Sequence, residues 1–234
     1  MKGLRFNLLG AWAAGLAALL FFGTGLLHLA ILLNGDRYLN GFSIPQAFQI
    51  SSSFPLNGLI AWAIALPILL ALTVALQLSD LVYRPGSGWV RWSVTLVLAG
   101  YAIAVIKEIS DLAAALNQAQ VYIGGDPLGL AAYKALEKGS VDPDLALQTL
   151  LIAGWFVVIH LSGLRHATLP RLQAYLGLTY AALLLPTWIA LWMRALPAAL
   201  GTLAIQELIV GPAWYLATAF VLFRQPAYAS PPDE

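Results

Sequence analysis

The sequence predicts an all-α fold, a polytopic membrane helix bundle of six transmembrane helices with both ends in the cytoplasm. Three observations predict it. Of the 234 residues, 60% are hydrophobic and only 10% charged, against about 25% charged in an average soluble domain. Six stretches reach the roughly 20 apolar residues that cross about 30 Å of hydrocarbon. The basic residues lie mostly in alternate connections.

The spans are taken in order. The first, 8–33, follows Lys2 and Arg5. It is too long for the roughly 7–15-residue apolar region of a signal peptide, so it reads as an uncleaved span. Its Gly10-Ala11-Trp12-Ala13-Ala14 run suits close helix packing. The second, 55–78, opens at Pro55 after three serines. The third, 88–109, becomes polar at Lys107, Glu108 and Asp111. The fourth, 145–164, follows Asp142-Pro143, a cap and a first-turn proline. The fifth, 172–196, follows Thr168-Leu169-Pro170, and the sixth spans 199–223. Residues 1–224 thus form a single transmembrane domain. Residues 225–234, with three prolines, read as a disordered cytoplasmic tail.

Orientation follows from lysine and arginine in short connections. With the N-terminus inside, the inner segments hold Lys2, Arg5, Arg84, Arg91, Arg165, Arg171 and Arg224. The outer segments hold Arg37, Lys107, Lys134, Lys138 and Arg194. The longest outer connection, 117–144, contains a predicted short helix at 128–138. That helix is either an interfacial lid or a surface element tying two spans together. The first outer loop, 34–54, carries no motif.

Ionisable groups in the bilayer cost about 2.5–3.5 kcal/mol each on insertion scales for Arg, Lys or Asp, and they face partners or sites. Glu207 stands among apolar neighbours in the sixth span, slightly to the outer side of its middle. It reads either as a substrate, cation or proton site opening outward or as a structural bridge to Lys107, Arg194 or a backbone donor. Lys107 and Glu108 are adjacent, so they point to different faces, and both can snorkel at the interface. His28 lies outward in the first span and Arg194 at the outer boundary. Intramembrane polarity is therefore expected to gather in the outer half.

His160 lies inward in the fourth span, about 20 Å in depth from His28 on the helical rise. One haem iron cannot join them. A single-histidine cofactor site and an ordinary interhelical hydrogen bond both remain open for each histidine. Pro67, Pro186 and Pro212 fall inside spans, where proline frees a carbonyl and can kink the helix. Broken helices of this kind occur in transporter sites, and also in helices that merely pack. Partial echoes between the two halves, such as Leu27-His28-Leu29 and Ile159-His160-Leu161, would fit an inverted repeat, though Glu108 and Glu207 do not obey the inversion.

The chain has no cysteine, which excludes disulfides, thiolate metal sites and cysteine nucleophiles. Nucleotide-binding, zinc-protease and serine-hydrolase motifs are absent. The basic residues are too few and scattered for nucleic acid. No catalytic residue, metal or cofactor is assigned.

The C-terminal third, 163–223, carries Leu169-Pro170-Arg171-Leu172, Gly177, Glu207 and then Gly211-Pro212-Ala213-Trp214. This pattern resembles a bacterial family of six-span membrane proteins of unknown function. The resemblance implies a bacterial inner-membrane location and six spans, and no established reaction. It points to Glu207, Trp214 and Pro170 as residues to test.

The residues therefore lead to a non-enzymatic membrane protein that binds a small or lipid-like ligand from the outer side or acts as an accessory subunit. A small carrier using Glu207 as its substrate or proton site is the alternative, and an intramembrane enzyme a third. Candidate ligand-binding residues are Glu207, Lys107, Glu108, His28, Arg194 and Trp214. The expected partners are the lipid bilayer and a membrane protein or a second copy of the chain.

Overall fold

The computed structural model describes residues 2–40, 54–123, 143–193 and 195–224. The elements are α1 (Lys2–Asn40), α2 (Phe54–Val82), α3 (Gly88–Ile123), α4 (Pro143–Arg165), α5 (Arg171–Trp192), α6 (Leu196–Ile205), a π-helical turn (Gln206–Val210) and α7 (Gly211–Arg224). The last three run on from one another as the sixth span. Each of the six carries an apolar stretch long enough to cross a bilayer, from Leu8–Leu26 in α1 to Gly201–Arg224 in the sixth. The chain is a multi-pass membrane helix bundle.

Two helices outrun the apolar stretches that announce them. α1 has 39 residues and α3 has 36, where hydropathy predicts 8–33 and 88–109. At 1.5 Å per residue α3 is about 54 Å long, so it projects beyond the hydrocarbon. The reason is local: residues 110–123 are rich in Ala, Leu and Gln, good helix formers, with no Gly or Pro before Gly124. α3 thereby takes in residues 117–123, which were expected to belong to the outer connection. The predicted helix at 128–138 lies outside the described residues, as does most of the loop 34–54.

The spans pack as a closed ring. α1 lies between α2 and the sixth span, and each later span packs on the one before it. α2 also touches α4 across the ring. The small residues of α1 allow its close packing, with Ala13, Ala14, Ala17 and Ala18 all buried. At Gly10 a Cβ would sit 2.8 Å from Gln77 Cγ and 3.1 Å from Leu222 Cδ1, so α2 and α7 both press on this face.

Two turns close the same end of the bundle. In the α2–α3 turn the Ser87 hydroxyl donates to the Arg84 carbonyl at 2.6 Å. The Arg84 guanidinium donates to the His166 carbonyl in the α4–α5 turn at 3.1 Å, which clasps the two turns together. Exposed Trp89 and Trp92 meet edge to face beside this end. Trp188 and Trp192 pair at the opposite end. Such aromatic groups at both ends suit the two membrane interfaces.

α2 continues through Pro67 and α5 through Pro186. In the sixth span the helix widens before Pro212. The Gly211 N–H donates to the Gln206 carbonyl, five residues back. Pro212 has no N–H to give Leu208, and its ring would crowd that carbonyl in a regular helix. The wider turn accommodates both facts. Turns of this kind are concentrated at functional sites.

Candidate functional site

The bundle interior holds a column of aromatic and polar side chains. Its lower part centres on His160 in α4, which is fully buried. The ring Nδ1 lies 2.6 Å from the Phe156 carbonyl. A carbonyl only accepts, so Nδ1 carries the proton and donates. The Trp214 indole Nε1–H, which can only donate, reaches His160 Nε2 at 2.8 Å. The two bonds together define a neutral imidazole with its proton on Nδ1. Both ring nitrogens are thus committed, and a metal or haem at His160 would have to displace Trp214.

Gln173 in α5 completes this part. Its Nε2 donates to Thr218 Oγ1 at 3.1 Å and lies 3.5 Å from His160 Nε2. Gly177, one turn further along α5, faces the imidazole so closely that a Cβ there would overlap the ring. Glycine at this position is what lets α5 approach α4. Phe156 stacks on the other side of the ring, 5.4 Å between centroids. Nearby, the Trp155 indole N–H donates to Ser79 Oγ at 2.9 Å and so ties α4 to α2.

The column continues through aromatic contacts. Phe156 stacks on Tyr180 at 4.7 Å, and Trp214 meets Tyr215 edge to face at 4.7 Å. Tyr215 stacks on Phe21 of α1 at 5.1 Å. Tyr101, Tyr180 and Tyr215 are all buried. Tyr101 and Tyr215 are hydrogen-bonded to each other, and Tyr180 lies close enough to Glu207 to feel its carboxylate.

Glu207 is half-buried on the π-helical turn, at the upper end of this column. The turn packs on α1 at Gly25, where a Cβ would lie 2.8 Å from the Leu208 backbone nitrogen and 2.9 Å from Glu207 Cβ. Backbone cannot yield to that atom, so only glycine admits the contact. Beside Glu207 the Gln206 side chain is buried, and among the described residues its Nε2 has no hydrogen-bond partner. On the lipid side of the turn a hollow of about 390 Å³ is lined by apolar groups including Leu29, Gly201, Ile205 and Leu208. Comparison with known protein families, curated proteins and solved structures finds no match to this chain.

The other residues singled out from sequence fall as follows. Trp214 is the donor to His160. Lys107 is half-buried in α3, and it and Glu207 each have a polar or electrostatic interaction. Glu108 follows Lys107 in α3, and His28 lies in α1 three residues after Gly25. Arg194 lies outside the described residues. Among the described residues no three histidine, aspartate or glutamate side chains gather as a metal site.

One expectation is corrected. Polarity does not gather only in the half assigned as outer. The closest-knit buried network, His160, Gln173, Trp214 and Thr218, lies in the opposite half, toward the α4–α5 turn. Buried Gln77, Ser79 and Ser93 lie in that half too. Counting ionisable residues missed it, because amides, hydroxyls and indoles carry most of its hydrogen bonds. The sequence signals for it were His160 in an apolar span and Gln173 four residues before Gly177 on one helical face.

Proposed function

We propose that this protein is a non-enzymatic protein of the cytoplasmic membrane that binds a lipid-like ligand at the Glu207 turn from the outer side. The observation that carries the reading is the π-helical turn, which holds a half-buried acidic side chain with α1 packed against it at Gly25. A regular helix through 206–211 would aim these side chains differently. The apolar hollow beside the turn suits an acyl or similar chain. The Glu207 carboxylate and the Gln206 amide supply the polar contacts for a head group carrying hydrogen-bond donors or positive charge.

A carrier function would use the same residue. It draws support from the three buried tyrosines and His160, which continue the line of polar groups from Glu207 into the other half of the bundle.

The test is retention of ligand. The protein is extracted gently, exchanged into nanodiscs, and its bound small molecules and lipids are identified by mass spectrometry. Wild type should retain one amphiphile above its share of bulk lipid, and Glu207→Gln should lose it. The same profile from both proteins contradicts the proposal. Stoichiometric recovery of a second protein with both would favour an accessory subunit instead.

A further inference from the structure

A second hollow, of about 420 Å³, opens at the end of the bundle where the α4–α5 turn meets the end of α7. Its lining includes Thr168, Leu169, Pro170, Phe220, Val221 and Arg224. The chemistry is split. Leu169, Phe220 and Val221 give an apolar wall on the membrane side. Arg224, the last residue of α7, supplies a cation whose guanidinium carbon sits 4.0 Å above the Phe220 ring. That stacking holds the side chain against the hollow and leaves its in-plane N–H groups available to an acceptor. The Thr168 hydroxyl oxygen is buried and, among the described residues, has no hydrogen-bond partner. α5 starts at this point, and its cap Pro170 makes no side-chain capping bond.

The surroundings are basic. Arg91, Arg165 and Arg171 are exposed at the same end. Asp80 on α2 is the acid found there among the described residues. The hollow lies where the start of span five meets the end of span six, the level at which a phosphate head group would sit if these helices cross the bilayer. A basic pocket between membrane helices on the cytoplasmic side is the kind of site that takes anionic lipid head groups.

We infer that this hollow binds the phosphate of an anionic phospholipid, with Arg224 on the phosphate and the acyl chains along Phe220 and Val221. The site is separate from the Glu207 turn and does not depend on the function proposed for it.

The test uses the full chain, purified in a neutral detergent. Native mass spectrometry or a thermal-shift titration compares short-chain phosphatidylglycerol, the matching phosphatidylcholine and inorganic phosphate. Wild type should prefer phosphatidylglycerol over phosphatidylcholine. Arg224→Gln should weaken phosphatidylglycerol about fivefold, the factor matching about 1 kcal/mol per basic residue, and Arg224→Lys should retain part of the preference. Thr168→Val provides a second variant of the lining and should also weaken binding. Arg91→Gln, at the same end but outside the hollow, should weaken it less than Arg224→Gln. The inference fails if the two lipids bind alike, if Arg91→Gln weakens binding as much as Arg224→Gln, or if inorganic phosphate stabilises the protein as well as phosphatidylglycerol does.

Discussion

The Trp214 indole donates its N–H to Nε2 of His160 at 2.8 Å, and both residues are buried in the bundle interior. The bond joins the fourth span to the sixth. With Gln173 and Thr218 beside it, it makes a contact among three spans that lipid cannot replace.

Replacing Trp214 by Phe keeps an aromatic ring and leaves His160 Nε2 with only the long 3.5 Å contact to Gln173 Nε2. An unsatisfied buried acceptor costs about 1–3 kcal/mol. Thermal unfolding in detergent should show a midpoint lower by roughly 2–4 °C per kcal/mol for a chain of this size. A midpoint equal to wild type would mean that the bond contributes nothing.

Gly177→Ala should destabilise the protein more sharply, because the new methyl falls within the imidazole. Overpacking of this kind costs about 1–3 kcal/mol. Combining it with His160→Ala makes room for the methyl. The double variant should therefore be more stable than the sum of the two single losses predicts, a coupling measurable in a double-mutant cycle. Strict additivity would show that the two residues do not compete for space.

How much of this was legible follows from what each feature depends on. The six spans were, because apolar length is a local property. The ends of α1 and α3 were not, since their polar extensions lower hydropathy while containing no helix breaker. His160 was visible as a histidine in lipid, but its partner was not: Trp214 lies 54 positions away, and only the packing of spans four and six brings them together. Pro212 signalled a disturbed helix, though not that the disturbance would be a widened turn bearing Glu207. Tyr101, Tyr180 and Tyr215 drew no notice, because tyrosine in a span reads equally well as an interface anchor.

Orientation has its own test. Six spans place the two ends of the chain on one side, and we propose from the arginines at the α2–α3 and α4–α5 turns that this side is the cytoplasm. A phosphatase reporter, active only outside, should be silent at either end of the chain, and a fluorescent reporter active inside should light at both. Opposite results at the two ends would require an odd number of spans.

We propose that Glu207 is reached from the outer side while the buried His160 network is not. The chain has no native cysteine, so Glu207→Cys and Thr218→Cys each offer a single thiol. With a membrane-impermeant thiol reagent added outside sealed cells, position 207 should label and position 218 should not. A thiol at 207 that stays unreactive from both sides, in a protein shown to be folded, would contradict the account and leave Glu207 as a bridge between helices.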